Sequence, residues 1–334
     1  MPPSIAPTKA PAPLGFEHPS FSLIAMNDTV YEANQLITKS DSFRSLVPPA
    51  RLSVLGDPVS HSKSPHFQNA ALRSCAIEAQ YVKIHTRPDE LTAALRALPS
   101  AGFLGANVTI PHKAGALATV DEADDYARLA GAANTVAVDG EKLIGFNTDG
   151  PGLLRALRDE FYADLRDLRV MLLGAGGGAG RAIALQCALE GCERLVLVNR
   201  TFEKASSLAR ELSPYFRSDR LVGPGERLEA IPHQERALRE QLAKTDIVIN
   251  ATSVGMKRTD PALIPSGLLT PNLMVYDTVY GTGKTRLIED AEAAGARAAN
   301  GLSMLLHQGA LSFEIWFGRA APLDIMRAAL RAAS

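Results

Sequence analysis

The sequence predicts an α/β protein of two domains, each carrying a mainly parallel sheet. Three observations predict it. The 334 residues are enough for two domains at roughly 100–200 residues each. From Pro49 onward, short apolar runs alternate with helical patterns, the signature of parallel strands joined by crossover helices. At Arg169 such a series starts afresh with strands apolar on both faces, as a sheet covered on two sides requires.

Residues 1–48 stand apart. Pro2, Pro3, Pro7, Pro11 and Pro13 preclude regular helix and disfavour sheet, so this stretch is expected as a mobile extension with a weak helical pattern over 28–46. Residues 51–55 form a short apolar run ending in Gly-Asp-Pro, which reads as a strand and turn. A helix over 65–75, a strand Gln80–His85, a helix over 89–98 and a strand over 104–108 follow. Residues 122–130 read as helical, and Thr135–Asp139 with Lys142–Phe146 as a hairpin around Asp139-Gly140. The next helix covers 150–162, with Asp149 as its N-cap and Pro151 in its first turn. The second series places strands at Arg169–Leu173, 195–198, 246–249, 274–276 and 296–299, and helical periodicity fills 304–332.

Composition narrows the function. A formal net charge of −1 gives no field to attract nucleic acid or an anionic membrane, and no basic block is interleaved with aromatics. No apolar run reaches transmembrane length, and the first residues, MPPSIAPTKAPAPLGF, lack the apolar stretch of a secretory signal. Cys75, Cys187 and Cys192 include no C-x-x-C pair, which suits reduced thiols in the cytoplasm. The histidines show no metal-ligand spacing, so no metal is expected.

The strand at Arg169–Leu173 runs into Gly174-Ala175-Gly176-Gly177-Gly178-Ala179-Gly180 and then a helix over 181–189. Glycine there lets the backbone turn tightly and approach a pyrophosphate, which sits on the helix N-terminus. Strand before and helix after are the context that turns a weak glycine motif into a dinucleotide-binding Rossmann domain. At the end of the second strand an NAD site usually offers a carboxylate. Here stand Asn199, Arg200 and Thr201, with Lys204 one helical turn on. A guanidinium there suits the 2′-phosphate of NADP. The segment Asn250-Ala251-Thr252-Ser253-Val254-Gly255-Met256 ends another strand, where ligands of doubly wound sheets collect.

Four segments of the N-terminal half each have an ordinary reading alone, as helix caps or surface residues. They are Ser62-Lys63-Ser64, Asn107 to Lys113 (NVTIPHK), Ala132-Ala133-Asn134-Thr135 and Asn147-Thr148-Asp149-Gly150. In this order, with the glycine loop, NRT, NATSVGM and the GLSMLLHQ run from Gly301 to Gln308, they resemble the shikimate dehydrogenase family from about Arg51 to the C-terminal helices. The resemblance implies a substrate domain of residues 49–149 plus 303–334, with the C-terminal helices returning to it. An NADP-binding Rossmann domain of residues 150–302 lies between.

It also implies the activity: reversible NADPH-dependent reduction of 3-dehydroshikimate to shikimate, on the route to chorismate and aromatic amino acids. Carried over by position, Lys113 and Asp149 are the catalytic pair. Ser62 and Ser64, aided by Tyr280, hold the substrate carboxylate, and Asn107, Thr109, Asn134 and Gln308 bind ring hydroxyls. Gly174 to Ala179, Asn199, Arg200, Thr201 and Lys204, then Thr252, Ser253, Gly255 and Met256, and finally Val279, Gly301 and Met304 fall at the cofactor. The sequence leaves open whether a second copy completes a homodimer.

Two features depart from the family pattern. The glycine loop has one residue more than the usual GAGGA form, and Gly281-Thr282-Gly283 follows Tyr280 where Asn-Pro is common. Quinate dehydrogenases share the fold and the dyad but often carry threonine in the serine loop and a carboxylate near Arg200. A regulator derived from the enzyme should lack Lys113 or Asp149. A folate-linked dehydrogenase would lack the paired serines.

Overall fold

The computed structural model describes residues 29–216, 226–281 and 283–333. In its first half, β1 (Val30–Glu32), α1 (Ala33–Thr38) and α2 (Asp41–Arg44) precede β2 (Ala50–Gly56), α3 (Ser64–Ser74) and β3 (Gln80–His85). Then come α4 (Leu91–Ala97), β4 (Gly105–Val108), α5 (Lys113–Thr119), β5 (Glu122–Ala123) and α6 (Asp125–Ala130). The hairpin β6 (Thr135–Asp139) and β7 (Lys142–Phe146) leads into α7 (Asp149–Phe161). The second half runs β8 (Arg169–Leu173), α8 (Gly178–Glu190), β9 (Arg194–Asn199), α9 (Phe202–Leu212), β10 (Leu228–Pro232), α10 (Glu235–Leu242) and β11 (Ile247–Asn250). It continues with β12 (Met274–Asp277), α11 (Arg286–Ala293), β13 (Arg297–Asn300), α12 (Leu302–Phe317) and α13 (Leu323–Ala332).

Two sheets form. The first has strand order β1-β3-β2-β4-β6-β7-β5, parallel except where β4, β6 and β7 pair antiparallel. The second is wholly parallel, in the order β10-β9-β8-β11-β12-β13. That is the 3-2-1-4-5-6 winding of dinucleotide-binding sheets, with its switch point between β8 and β11. In β8, Val170 and Leu172 enter one apolar core while Met171 and Leu173 enter another, so both faces are covered. The helix α12 packs on α7 and α3, and α13 packs on α3, so the C-terminal helices do return to the first sheet's domain.

Four expectations need correction. The proline-rich start lies outside the described residues, but residues 30–44 are not a mobile extension: β1 pairs in parallel with β3, and Ala33, Leu36 and Phe43 are fully buried. Phe43 stacks between Tyr31 and Phe103, at 5.0 and 5.6 Å between ring centres, so sparse apolar residues are tied down by partners distant in sequence. Residues 122–130 are not one helix, because Glu122–Ala123 pairs with β7 and the Asp124 side chain then caps α6 by accepting from the Ala127 amide at 2.7 Å. The tail breaks at Gly318, whose φ of +59° ends α12, and Pro322 precedes the next helix. Finally, Thr148 holds the N-cap position of α7 and Asp149 is its first helical residue.

Candidate active site

The loop after β4 sets the first catalytic residue. The His112 ring makes a 2.6 Å hydrogen bond to the Thr86 carbonyl, and its amide bonds the Thr109 carbonyl, which fixes the turn from which α5 starts at Lys113. Across from it, Asn147 donates to the Ala132 carbonyl at 2.9 Å and accepts from the Asp149 amide at 3.0 Å. These two loops bring the Lys113 ammonium to 2.7 Å from Asp149 Oδ2. The pair is largely shielded, with the aspartate side chain 6% exposed and the lysine 18%. Asp149 Oδ1 accepts from Asn134 Nδ2 at 2.9 Å, so both carboxylate oxygens are engaged.

Asn134 is the hub of the polar network. Its amide nitrogen also reaches Thr148 Oγ1 at 2.9 Å and Gln308 Oε1 at 3.4 Å, which brings α12 to the dyad. That approach needs Gly152, where a Cβ would stand 2.8–3.0 Å from Gln308 atoms. Asn107 lies one strand over, and its amide nitrogen bonds the Asn134 carbonyl, Thr135 Oγ1 and Ser312 Oγ at 2.9–3.2 Å. Thr109 is half-buried, its methyl over Gly56, where any Cβ would collide with it.

On the serine side, Ser62 Oγ accepts from the Ser64 amide at 3.3 Å, and Ser64 opens α3. Both hydroxyls thus stand at a helix N-terminus, where the backbone dipole favours an anion. The Tyr280 phenol, pushed up in pKa by burial, lies within electrostatic range of the buried Tyr81.

The cofactor candidates gather at the switch point. Gly174 has φ +87°, and a Cβ there would press on Thr252 at 2.7 Å. At Gly176 a Cβ would lie 2.7 Å from Lys204 Cβ, and at Gly180 it would strike the Gly174 carbonyl. The helix-packing glycine is thus Gly180 and not Ala179, which gives the spacing G-x-G-x-x-x-G. Gly177 caps α8, and a Cβ at Gly178 would meet nothing within 4 Å, so the loop's additional residue is accommodated outward. Asn199 Nδ2 bonds the Thr201 carbonyl at 2.9 Å. The exposed Arg200 side chain has no hydrogen bond or ion pair to the described residues. A cradle that a Cβ would fill, flanked by a free guanidinium and Lys204, fits a phosphorylated dinucleotide.

The loops after β11 and β12 are laced together by Asn250, which the sequence reading placed at a strand end without this role, and by Asp277, which it missed. Asn250 Nδ2 bonds Asp277 Oδ1 at 2.8 Å, while its Oδ1 accepts from the Thr252 amide and hydroxyl. Asp277, with its pKa raised by burial, also accepts from Val279 N at 3.0 Å and Thr285 Oγ1 at 2.6 Å. This fixes Thr252 and Ser253 at the strand end, next to Gly255 at φ +110° and Met256, which is 60% exposed. Gly301 is needed because a Cβ would overlap the Thr278 carbonyl. Met304 is buried in the core that also holds Ala175, its amide bonded to Tyr276 Oη at 2.9 Å. The signal for Asn250 and Asp277 is a polar residue closing an otherwise apolar strand.

The dyad and the glycine loop adjoin. Gly150, next to Asp149, packs so closely on Tyr126 and the Ala182 carbonyl of α8 that a Cβ would lie 3.0 Å from that carbonyl. Tyr126 itself donates to Ala182 O at 2.7 Å, and burial, then the nearby Asp149 charge, raise its pKa.

Comparisons with known proteins bear on the family. The model of the shikimate dehydrogenase substrate-binding domain matches residues 54–136, that of shikimate/quinate 5-dehydrogenase 156–259, and that of the shikimate 5′-dehydrogenase C-terminal domain 301–331. A shikimate dehydrogenase (NADP(+)) of Methanopyrus kandleri is 40% identical over 281 residues, covering 84% of this chain and 94% of the relative. The crystal structure of shikimate 5-dehydrogenase from Thermus thermophilus with NADP(H) and shikimate matches with a TM-score of 0.74 at 35% identity, over 85% of this chain and all (100%) of that one. Quinate dehydrogenase from Corynebacterium glutamicum with NAD matches with a TM-score of 0.72 at 26% identity, over 84% and 98%. With a shielded lysine–aspartate pair beside a nucleotide-binding switch point, and relatives at this identity along most of both chains, the chain belongs to the shikimate dehydrogenase family.

Proposed function

We propose that the chain interconverts 3-dehydroshikimate and shikimate with NADP as its cofactor. The observation that carries this is the 2.7 Å Lys113–Asp149 pair, joined through Asn134 to Gln308 and set against the helix that the glycine loop opens. When bound, NADPH supplies the hydride to the substrate carbonyl carbon. Lys113 gives the oxygen its proton, or donates a hydrogen bond to the developing alkoxide, and Asp149 holds the ammonium in place. Ser62, Ser64 and Tyr280 take the carboxylate, while Asn107, Thr109, Asn134 and Gln308 take the ring hydroxyls. Convergent neutral donors and acceptors suit a polyol, because each unmatched hydroxyl would leave a buried partner unpaired.

The quinate dehydrogenase fold is the same, so fold alone does not choose the substrate. Ser64 in place of threonine, and Arg200 where a carboxylate would repel a 2′-phosphate, support shikimate and NADP. Among the described residues no helix is long and apolar enough to cross a membrane. The three cysteines are free thiols, which supports a cytosolic enzyme.

Initial rates with shikimate or quinate, each offered with NADP⁺ or NAD⁺, test the reading. Shikimate with NADP⁺ should give the highest kcat/KM. Equal or better turnover of quinate overturns the substrate assignment, and a preference for NAD⁺ overturns the cofactor assignment.

A further inference from the structure

Tyr81 belongs to none of the groups assigned above. It lies in β3, is 1% exposed, and packs its ring 6.2 Å from that of Trp316. Its backbone is clamped from both sides by Asn69 of α3, which accepts from the Tyr81 amide at 2.7 Å and donates to its carbonyl at 2.9 Å. Ring and main chain thus leave the hydroxyl no freedom to wander. That hydroxyl donates to Asn107 Oδ1 at 2.8 Å.

Asn107 cannot easily turn over. Its amide nitrogen faces two hydroxyls and a carbonyl, so its oxygen is the atom presented to Tyr81. A carbonyl oxygen has two lone pairs, and Tyr81 occupies one. The second stays available for a substrate hydroxyl. A phenol has only one proton, and here it goes to Asn107.

We propose that Tyr81 is a positioning residue for substrate recognition, its buried hydroxyl holding Asn107 Oδ1 in place for the ring hydroxyl that this asparagine takes. The inference rests on the shikimate reading.

Tyr81→Phe keeps the ring and removes the donor to Asn107. Leaving the Asn107 oxygen without its donor should raise the KM for shikimate about five- to fiftyfold. The kcat should stay within about threefold, and the KM for NADP⁺ should not change, because neither the dyad nor the glycine loop is touched. A merely structural role would move both Michaelis constants or neither. In an Asn107→Ala background, Tyr81→Phe should add less than about twofold, since the hydroxyl has already lost its acceptor. An unchanged shikimate KM in Tyr81→Phe, a parallel rise for NADP⁺, or effects that multiply with Asn107→Ala would each overturn the inference. If Tyr81→Phe does not fold, Asn107→Ala decides it: a rise in the shikimate KM of at least about fivefold with an unchanged NADP⁺ KM upholds the inference, and an unchanged shikimate KM refutes it, because the asparagine that Tyr81 holds would then take no substrate group. Wild-type turnover of shikimate tests the underlying reading separately.

Discussion

Replacing Lys113 by alanine isolates the chemical step. The substitution removes the one cation 2.7 Å from Asp149 Oδ2 and nothing else in the polyol network, since Asn134, Gln308 and Asn107 keep their own bonds. A positioned proton donor contributes about 10²–10⁴ to rate, or about 2.7–5.5 kcal/mol of barrier. The kcat of Lys113→Ala should fall by that order, while the KM for shikimate changes only a few-fold, because the lost contact strengthens chiefly as charge develops on the substrate oxygen. The protein should still fold. Removing one member of a fully buried ion pair costs about 3–5 kcal/mol, but this lysine is 18% open to solvent. Asp149 also keeps Asn134 and a place in the first turn of α7, where a carboxylate is favoured.

Rates of NADP⁺ reduction across shikimate concentration and pH, alongside thermal melting, make the measurement. Asp149→Asn is the partner experiment. An amide has one acceptor oxygen where the carboxylate had two, so Lys113 or Asn134 must lose its bond, and kcat should drop similarly without unfolding. A large rise in KM with kcat within about threefold of wild type would make Lys113 a binding residue and refute the reasoning.

Three other outcomes follow from the structure. Arg200→Ala should weaken NADP⁺ binding about 10–150-fold and leave NAD⁺ binding nearly unchanged, an effect that shrinks with added salt; equal losses for both cofactors, by calorimetry, would show a loop-supporting role. Phe43→Ala should cost about 3–5 kcal/mol in denaturant unfolding, and a chain starting at Leu46 should lose more, because β1 goes with it; an unshifted midpoint would show that residues 30–44 add nothing to the core. His85, bonded to Glu32 and Asp57 at 3.0 and 3.1 Å, has its pKa raised first by Glu32 and then by Asp57. A raised folded-state value means its stabilisation is fully present below the ordinary 6.5 and is lost as pH rises through the folded value. The stability gap between wild type and His85→Gln should therefore close with rising pH, and a gap that widens contradicts the pairing.

What the sequence makes legible is local. Strands such as Gln80–His85 and Arg169–Leu173 announce themselves because both faces of each sheet are apolar and turn residues bound the runs. The three-residue strand β1 carries no such period, and Leu36 and Phe43 are core residues only because α1 packs on α4 and Phe103 meets the Phe43 ring. Helix α9, strand β10 and helix α10 have no counterpart among the sequence-based expectations. The burial of β10 is partial along its length, as at a sheet edge, which erases the apolar signal. Lys113 and Asp149 stand out only through the order of motifs. No periodicity could show that residues 36 apart in sequence share a 2.7 Å bond.

Tyr81 marks the boundary most sharply. A lone tyrosine in an apolar strand is, by sequence, a core residue whose hydroxyl must find some partner. That its partner is the asparagine expected at a ring hydroxyl of the substrate is a property of the register between β3, β2 and β4 and of the way α3 lies across them. A one-residue slip of β3 would send the phenol to the other face of the sheet and leave Asn107 Oδ1 with no donor from that strand. The positioning of the site is therefore stored in strand register, which side-chain chemistry alone does not encode.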